Sequence, residues 1–123
     1  MIGMRGLAEG ADVVNRTGAF HFSQAVLPLL LDNVKTSEYP PTLIFTSATA
    51  AMKGYAGSAS FATGKFAMRG LSQSLAREFG PKGIHVNHAI IDGVINIERT
   101  KGYNLTEEQK IKPEAVSCCS RPW

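Results

Sequence analysis

A chain of 123 residues has room for one domain with a buried core and little room for a second. At 44% apolar and 19% charged residues it has a globular composition, which excludes disorder throughout. The formal charge of +3, from 13 Lys and Arg against 10 Asp and Glu, is scattered without a basic block, so no nucleic-acid surface is expected.

No window of about 18 apolar residues occurs, so no membrane span is expected, and Met1–Gly6 lacks the apolar core of a signal peptide. Cys118 and Cys119 are adjacent, which offers no disulfide framework and makes a reduced, cytoplasmic setting the expectation. Residues 1–16 read as an irregular segment. Gly3, Gly6 and Gly10 do not have G-x-G-x-x-G spacing and follow no strand, so they form no dinucleotide fingerprint. Thr17 to Val34 predicts a helix. Phe20, Phe22, Ala25, Val26, Leu29, Leu30 and Leu31 make it apolar nearly all round, so it should be buried or paired with another chain. Pro28 falls inside it and should kink or break it.

After a polar connection ending in Pro40-Pro41, the β-branched and apolar run Thr42–Ser47 predicts a buried strand. Small residues from Ala48 to Ala59 predict a loop. From Ser60 to Phe79 the stripe Met68, Leu71, Leu75 and Phe79 predicts a long helix, capped by Ser58 or Ser60 and stopped by Gly80-Pro81. Ile84 to Ile91 reads as a second strand. Strand, crossover helix and strand of these lengths predict a right-handed parallel βαβ unit, and ligands of open α/β sheets bind at the C-terminal strand ends. One crevice should therefore gather Ser47 to Thr49, the start of the long helix and Asp92-Gly93-Val94. Beyond it, Asn96–Asn104 suits a loop over that crevice, and Thr106-Glu107-Glu108-Gln109 is a capping-box pattern for a short helix ending before Pro113. Ser117–Trp123 reads as a tail.

Other chemistries fit poorly. Gly64-Lys65 is no phosphate loop, because Gly57 lies seven rather than five residues earlier and Phe66 stands where Ser or Thr belongs. His85 and His88, three apart on a strand, face opposite sides, so no metal site is expected. Asn104-Leu105-Thr106 matches a glycosylation acceptor, but no secretory signal accompanies it. A lone parallel strand pair is a poor sheet, since parallel sheets carry several strands with both faces covered. The fold class is accordingly α/β, a partial doubly wound parallel sheet: an irregular segment over 1–16, a half-domain over 17–95, and a loop, short helix and tail over 96–123.

Four segments in order carry a resemblance: Asn15-Arg16-Thr17-Gly18-Ala19-Phe20 with Leu27-Pro28; Leu43-Ile44-Phe45-Thr46-Ser47; Lys65-Phe66-Ala67 with Gly70-Leu71, Leu75-Ala76 and Glu78; and Gly83-Ile84-His85-Val86-Asn87. Together, over Val13 to Ile95, they resemble the C-terminal half of a short-chain dehydrogenase/reductase, a Rossmann-fold oxidoreductase family that uses NAD(H) or NADP(H). The resemblance implies hydride transfer at a small carbonyl or alcohol, and a Rossmann-like sheet lacking its N-terminal dinucleotide-binding half. It puts Phe61 at the position of the proton-transferring Tyr and Lys65 one turn later as the ribose-binding lysine. Ala48 takes the exact serine position, with Ser47 one residue away as a candidate to polarise the substrate carbonyl. Asn15 stands for a proton-relay residue, with a helix N-cap as its other reading. The backbone of Gly93, Val94 and Ile95 would meet the nicotinamide carboxamide, although Asp92-Gly93 replaces the family's P-G. The family's habits also suggest a homodimer through helices 17–34 and 60–79. With no catalytic Tyr and no Gly-rich phosphate loop in these residues, the expectation is a truncated relative with weak or no activity, or a pseudoenzyme-like module acting through association.

Overall fold

The computed structural model describes residues 13–102, 106–113 and 115. The chain divides into two compact units, Met1–Ile90 and Ile91–Trp123. Among the described residues no helix is long and apolar enough to cross a membrane. The C-terminal residues 117–123, read above as a tail, lie outside the described residues.

The first unit opens with a π-helical turn, Val13–Gly18, that runs into helix α1, Ala19–Asn33. Pro28 does not end this helix. Pro28 lies on the exposed side, where water can satisfy the carbonyl one turn back that its missing N–H leaves without a partner. The all-round burial expected of α1 is not what forms. Only Ser23 and Leu27 are buried, while Phe20 (48%), Phe22 (58%) and Leu29 (61%) stay exposed. The buried Ser23 hydroxyl donates to the Ala19 carbonyl at 2.7 Å, so its burial leaves no unpaired donor.

Strand β1, Thr42–Ala48, alternates strictly, with Leu43, Phe45 and Ser47 buried and Thr42, Ile44 and Thr46 exposed. A 3-10 turn at Thr49–Ala51 leads towards helix α2, Ala59–Phe79. Ser58 occupies the N-cap position but does not cap with its side chain; its hydroxyl donates to the Tyr55 carbonyl at 3.0 Å. Of the expected stripe, Met68 and Leu75 are buried and Leu71 and Phe79 pack partly buried against the core. The α-helix ends at Phe79 as the sequence predicts, and Gly80-Pro81 opens a 3-10 turn, Gly80–Lys82. The turn ends at Gly83, whose φ of 90° is left-handed. The Ile84 N–H donates to the Phe79 carbonyl (3.1 Å) and the Gly83 N–H to the Gly80 carbonyl (3.0 Å), the two bonds of a Schellman closure. That closure delivers Ile84, 1% exposed, into the core.

Strand β2, His85–Ile91, pairs with β1 in a two-stranded sheet. The His85 N–H donates to the Pro41 carbonyl at 2.9 Å, so the two strands start side by side and run the same way. The core is Leu27 from α1, Leu43 and Phe45 from β1, Met68 and Leu75 from α2, and Ile84. It lies between the two helices and one face of the sheet. The α/β architecture with small parallel sheets is the one read from the sequence.

In the second unit two short strands, β3 (Val94–Ile95) and β4 (Lys110–Ile111), pair in parallel, Val94 with Lys110 and Ile95 with Ile111. The polar stretch after β3 contains a 3-10 turn, Glu98–Thr100, in which the Thr100 hydroxyl donates to the Ile95 carbonyl (2.7 Å) and accepts from the Ile97 N–H (3.0 Å). The expected short helix is a single 3-10 turn, Glu107–Gln109, because the chain is drawn straight into β4. The Gln109 side chain reaches back to accept from the Thr106 N–H at 3.0 Å, half of the predicted capping box.

Candidate functional site

The end of β1 and the first turns of α2 bring two of the sequence candidates, Phe61 and Lys65, beside Thr46. Phe61 and Lys65, four apart on α2, share a face. The Lys65 Nζ lies 5.5 Å from the Phe61 ring centroid and donates to the Thr46 carbonyl of β1 at 3.3 Å. Burial lowers the Lys65 pKa from the ordinary lysine range. Phe61 is 39% exposed. One turn further along α2, the Arg69 Nη1 donates to the Ala51 carbonyl at 3.4 Å. Two cations on one flank of the helix thus hold the backbone on either side of the point where β1 ends.

Ser47 is 4% exposed, and its Oγ has no hydrogen-bond partner. Strand alternation puts it on the core side with Leu43 and Phe45, so the hydroxyl sits beneath the helices and not on an open wall. Ala48, the next residue, is half-buried and offers no hydroxyl. Asn15 is half-buried in the π-helical turn; the N-cap of α1 is Gly18, so the alternative N-cap reading of Asn15 does not hold.

Gly93, Val94 and Ile95 belong to the second unit. Gly93 has φ 149°, and a Cβ there would stand 2.7 Å from Ile111 side-chain carbons and 3.2 Å from the Gln109 carbonyl oxygen. Any larger residue would push β4 away, so glycine is required for the approach of the two short strands.

Sequence reading considered His88 only as half of an improbable metal pair. In the fold its Nε2 is buried with no hydrogen-bond partner. Burial, then the charges of Arg69 and Lys65, push its pKa below the ordinary histidine value. His88 shares a strand face with Val86, which packs on the core, and this spacing of two was the available signal. Among the described residues no group of three His, Cys, Asp or Glu could hold a metal ion. A cleft of about 290 Å³ lies elsewhere, between the start of α1 and the middle of α2, lined by Arg16, Thr17, Phe20, Ala67 and Leu71.

Residues 12–108 match a family model described as short chain dehydrogenase. Over 102 residues the chain is 33% identical to an uncharacterized oxidoreductase, YciK, of Escherichia coli (strain K12), an overlap of 83% of this chain and 38% of that protein. It is 32% identical over 74 residues to (-)-trans-carveol dehydrogenase of Rhodococcus erythropolis, covering 60% of this chain and 25% of the relative. Among solved structures, a short-chain dehydrogenase from Rhodopseudomonas palustris superposes with a TM-score of 0.59 at 26% identity, over 92% of this chain and 50% of the other. A 4-hydroxyisoleucine dehydrogenase, solved with NADH and succinate, superposes with a TM-score of 0.67 at 20% identity, a likeness of fold alone. The chain spans between a quarter and two fifths of the length of these two curated relatives and half of that of the first structure.

Proposed function

This chain belongs to the short-chain dehydrogenase family, and from that premise we propose that it is an oxidoreductase half-domain which keeps the lysine end of a nicotinamide site and has lost the proton-transfer step. The reading includes a cytoplasmic setting and a small carbonyl or alcohol as the substrate class. The observation that carries it is the pair on α2: Lys65 held to the Thr46 carbonyl with its Nζ 5.5 Å from a phenyl ring.

The fit of an NAD or NADP dinucleotide is partial. Lys65 has three N–H donors and uses one on Thr46, which leaves donors for ribose hydroxyls. The backbone of Gly93, Val94 and Ile95 is the candidate to meet the carboxamide. No Gly-rich phosphate loop occurs in these 123 residues, so the pyrophosphate has no helix N-terminus with glycine approach to rest on. A bound nicotinamide would supply the hydride. Phe61, however, can neither give nor take the accompanying proton, and absence of such a group lowers rates by about 10²–10⁴. Ser47, buried beneath the helices, is a candidate to polarise a carbonyl only if the strand end opens, and Asn15 is a candidate for a water relay.

A titration of this chain with NADH and NADPH, followed by cofactor fluorescence, should give no saturable binding; micromolar affinity would overturn the view that the phosphate site is missing. Phe61→Tyr should restore little reductase activity for the same reason, and substantial turnover by that variant would count equally against it.

A second reading is favoured by one observation, the apolar surface left open on the helices at Phe20, Phe22, Leu29 and Phe66. On that reading the chain is a pseudoenzyme-like module that pairs with a second copy through residues 17–34 and 60–79. The exposed aromatics of two copies would cover each other and close the cleft beside Phe20.

A further inference from the structure

The cleft between the start of α1 and the middle of α2 lies within the first unit and serves no step of hydride transfer. Two and six residues past Lys65, at 3.6 residues per turn, Ala67 and Leu71 are on the far side of α2 from the Phe61–Lys65 pair. They line the cleft from α2, while Arg16, Thr17 and Phe20 line it from the π-helical turn and the first turn of α1. The lining divides by chemistry. Arg16 and Thr17 are adjacent polar residues, whereas Phe20, Ala67 and Leu71 are apolar. The one charged side chain is a cation, and the lining contains no carboxylate. Arg16 has a partner within the chain, but a guanidinium carries five N–H donors in a planar fork and serves several acceptors at once. Ala67 keeps the space open, since a larger side chain there would fill it.

Small-molecule sites join apolar walls to a few polar groups that fix orientation. We propose that this cleft binds a small amphipathic monocarboxylate, its carboxylate on Arg16 and its alkyl tail between Phe20, Ala67 and Leu71. Carboxylate and guanidinium meet in a bidentate, charge-assisted pair, and the neighbouring Thr17 hydroxyl is a further donor at the same end. The tail takes apolar surface out of water, including that of Phe20, which is 48% exposed. A cationic head would be repelled by Arg16, and a small anion without a tail would leave the apolar walls wet. The volume sets the length of the tail. At the ~30 Å³ that a water molecule occupies in the liquid, a cleft of about 290 Å³ has room for roughly ten non-hydrogen atoms. Octanoate is of that size. Its binding makes and breaks no covalent bond and needs neither a dinucleotide nor a hydroxyl at position 61, so the proposal stands apart from the nicotinamide reading.

The test is a titration of the isotope-labelled full chain with octanoate, below its micelle-forming range and at about pH 7, where the head is ionised, followed by amide NMR shifts. Saturable shifts should centre on residues 16–20 and 67–71, with a Kd on the order of 1 mM or tighter. Acetate, which has the head alone, and octylammonium, which has the same tail and the opposite charge, should each bind at least about tenfold more weakly. Arg16→Gln should weaken octanoate by at least about tenfold, and Ala67→Leu should abolish its binding by filling the cleft. Shifts that do not saturate, that centre on Phe22 and Leu29, or that persist unchanged in Arg16→Gln overturn the proposal. Should the variants not fold, the unaltered chain decides: octanoate and octylammonium bound equally well, or octanoate binding indifferent to salt between about 0.01 and 1 M, overturns it as well.

Discussion

Among the described residues, Lys65 on α2 and His88 in the middle of β2 are the two whose charged forms the fold disfavours, and they respond to pH in the same sense. In the unfolded chain the His88 ring takes up its proton near pH ~6.5; in the folded chain it does so only at lower pH, because burial and the charges of Arg69 and Lys65 oppose it. The unfolded state therefore binds more protons between those two values, and stability falls as the pH drops from about 6.5 towards the lowered one. Chemical denaturation of the unaltered chain and of His88→Leu, between pH about 5 and 8, should show a smaller loss on acidification in the variant; parallel curves would remove His88 from this account. Phe61 and Lys65 were legible in the sequence because their relation is local, one helical turn. His88 was not, because its surroundings depend on where α2 lies across two strands distant in sequence. The burial of Ser47 lay in plain sight in the alternation Leu43, Phe45, Ser47, but position at the strand end drew the reading instead.

At the scale of elements, the end of α2 shows how local chemistry positions the site. The α-helix stops before Gly80-Pro81, and the reversal that starts β2 beside β1 is made one turn later at Gly83. A Cβ on Gly83 would lie 2.7 Å from the Val34 Cγ1, and its φ of 90° is one that L side chains rarely adopt. Gly83→Ala should cost roughly 1–2 kcal/mol from the backbone conformation alone, with the Val34 contact adding to it. Urea denaturation measures the loss, and an unchanged midpoint would mean that the turn relaxes freely. Pro81 hid this arrangement from sequence reading, since a Gly-Pro pair is the stronger stop signal by composition. Strands β3 and β4 escaped notice for another reason. At two residues each they have no period, and their pairing brings together positions fifteen or more apart.

For the molecule as a whole, the parallel βαβ unit was legible because helix, strand, helix and strand follow one another with the spacing of a half-wound sheet. What the sequence did not reveal is which apolar surfaces remain open. Two are now defined within the first unit. One is the side of α1 that carries Phe22 and Leu29; the other is the sheet face opposite the core, where Ile44 is 58% exposed. Parallel sheets ordinarily have both faces covered, so the Ile44 face also invites association. The two surfaces differ in extent. Phe22 and Leu29, seven apart on one side of α1 at 58% and 61% exposure, outweigh a single isoleucine flanked by Thr42 and Thr46. If the helices drive pairing, sedimentation velocity over a range of concentrations should show a monomer–dimer equilibrium in the unaltered chain. Phe22→Glu should weaken it by at least about tenfold, the effect of some 1.4 kcal/mol at an interface aromatic, while Ile44→Thr should leave it unchanged. A dimer lost with Ile44→Thr and kept with Phe22→Glu would place the interface on the sheet, and a monomer at all concentrations would leave the association reading without support.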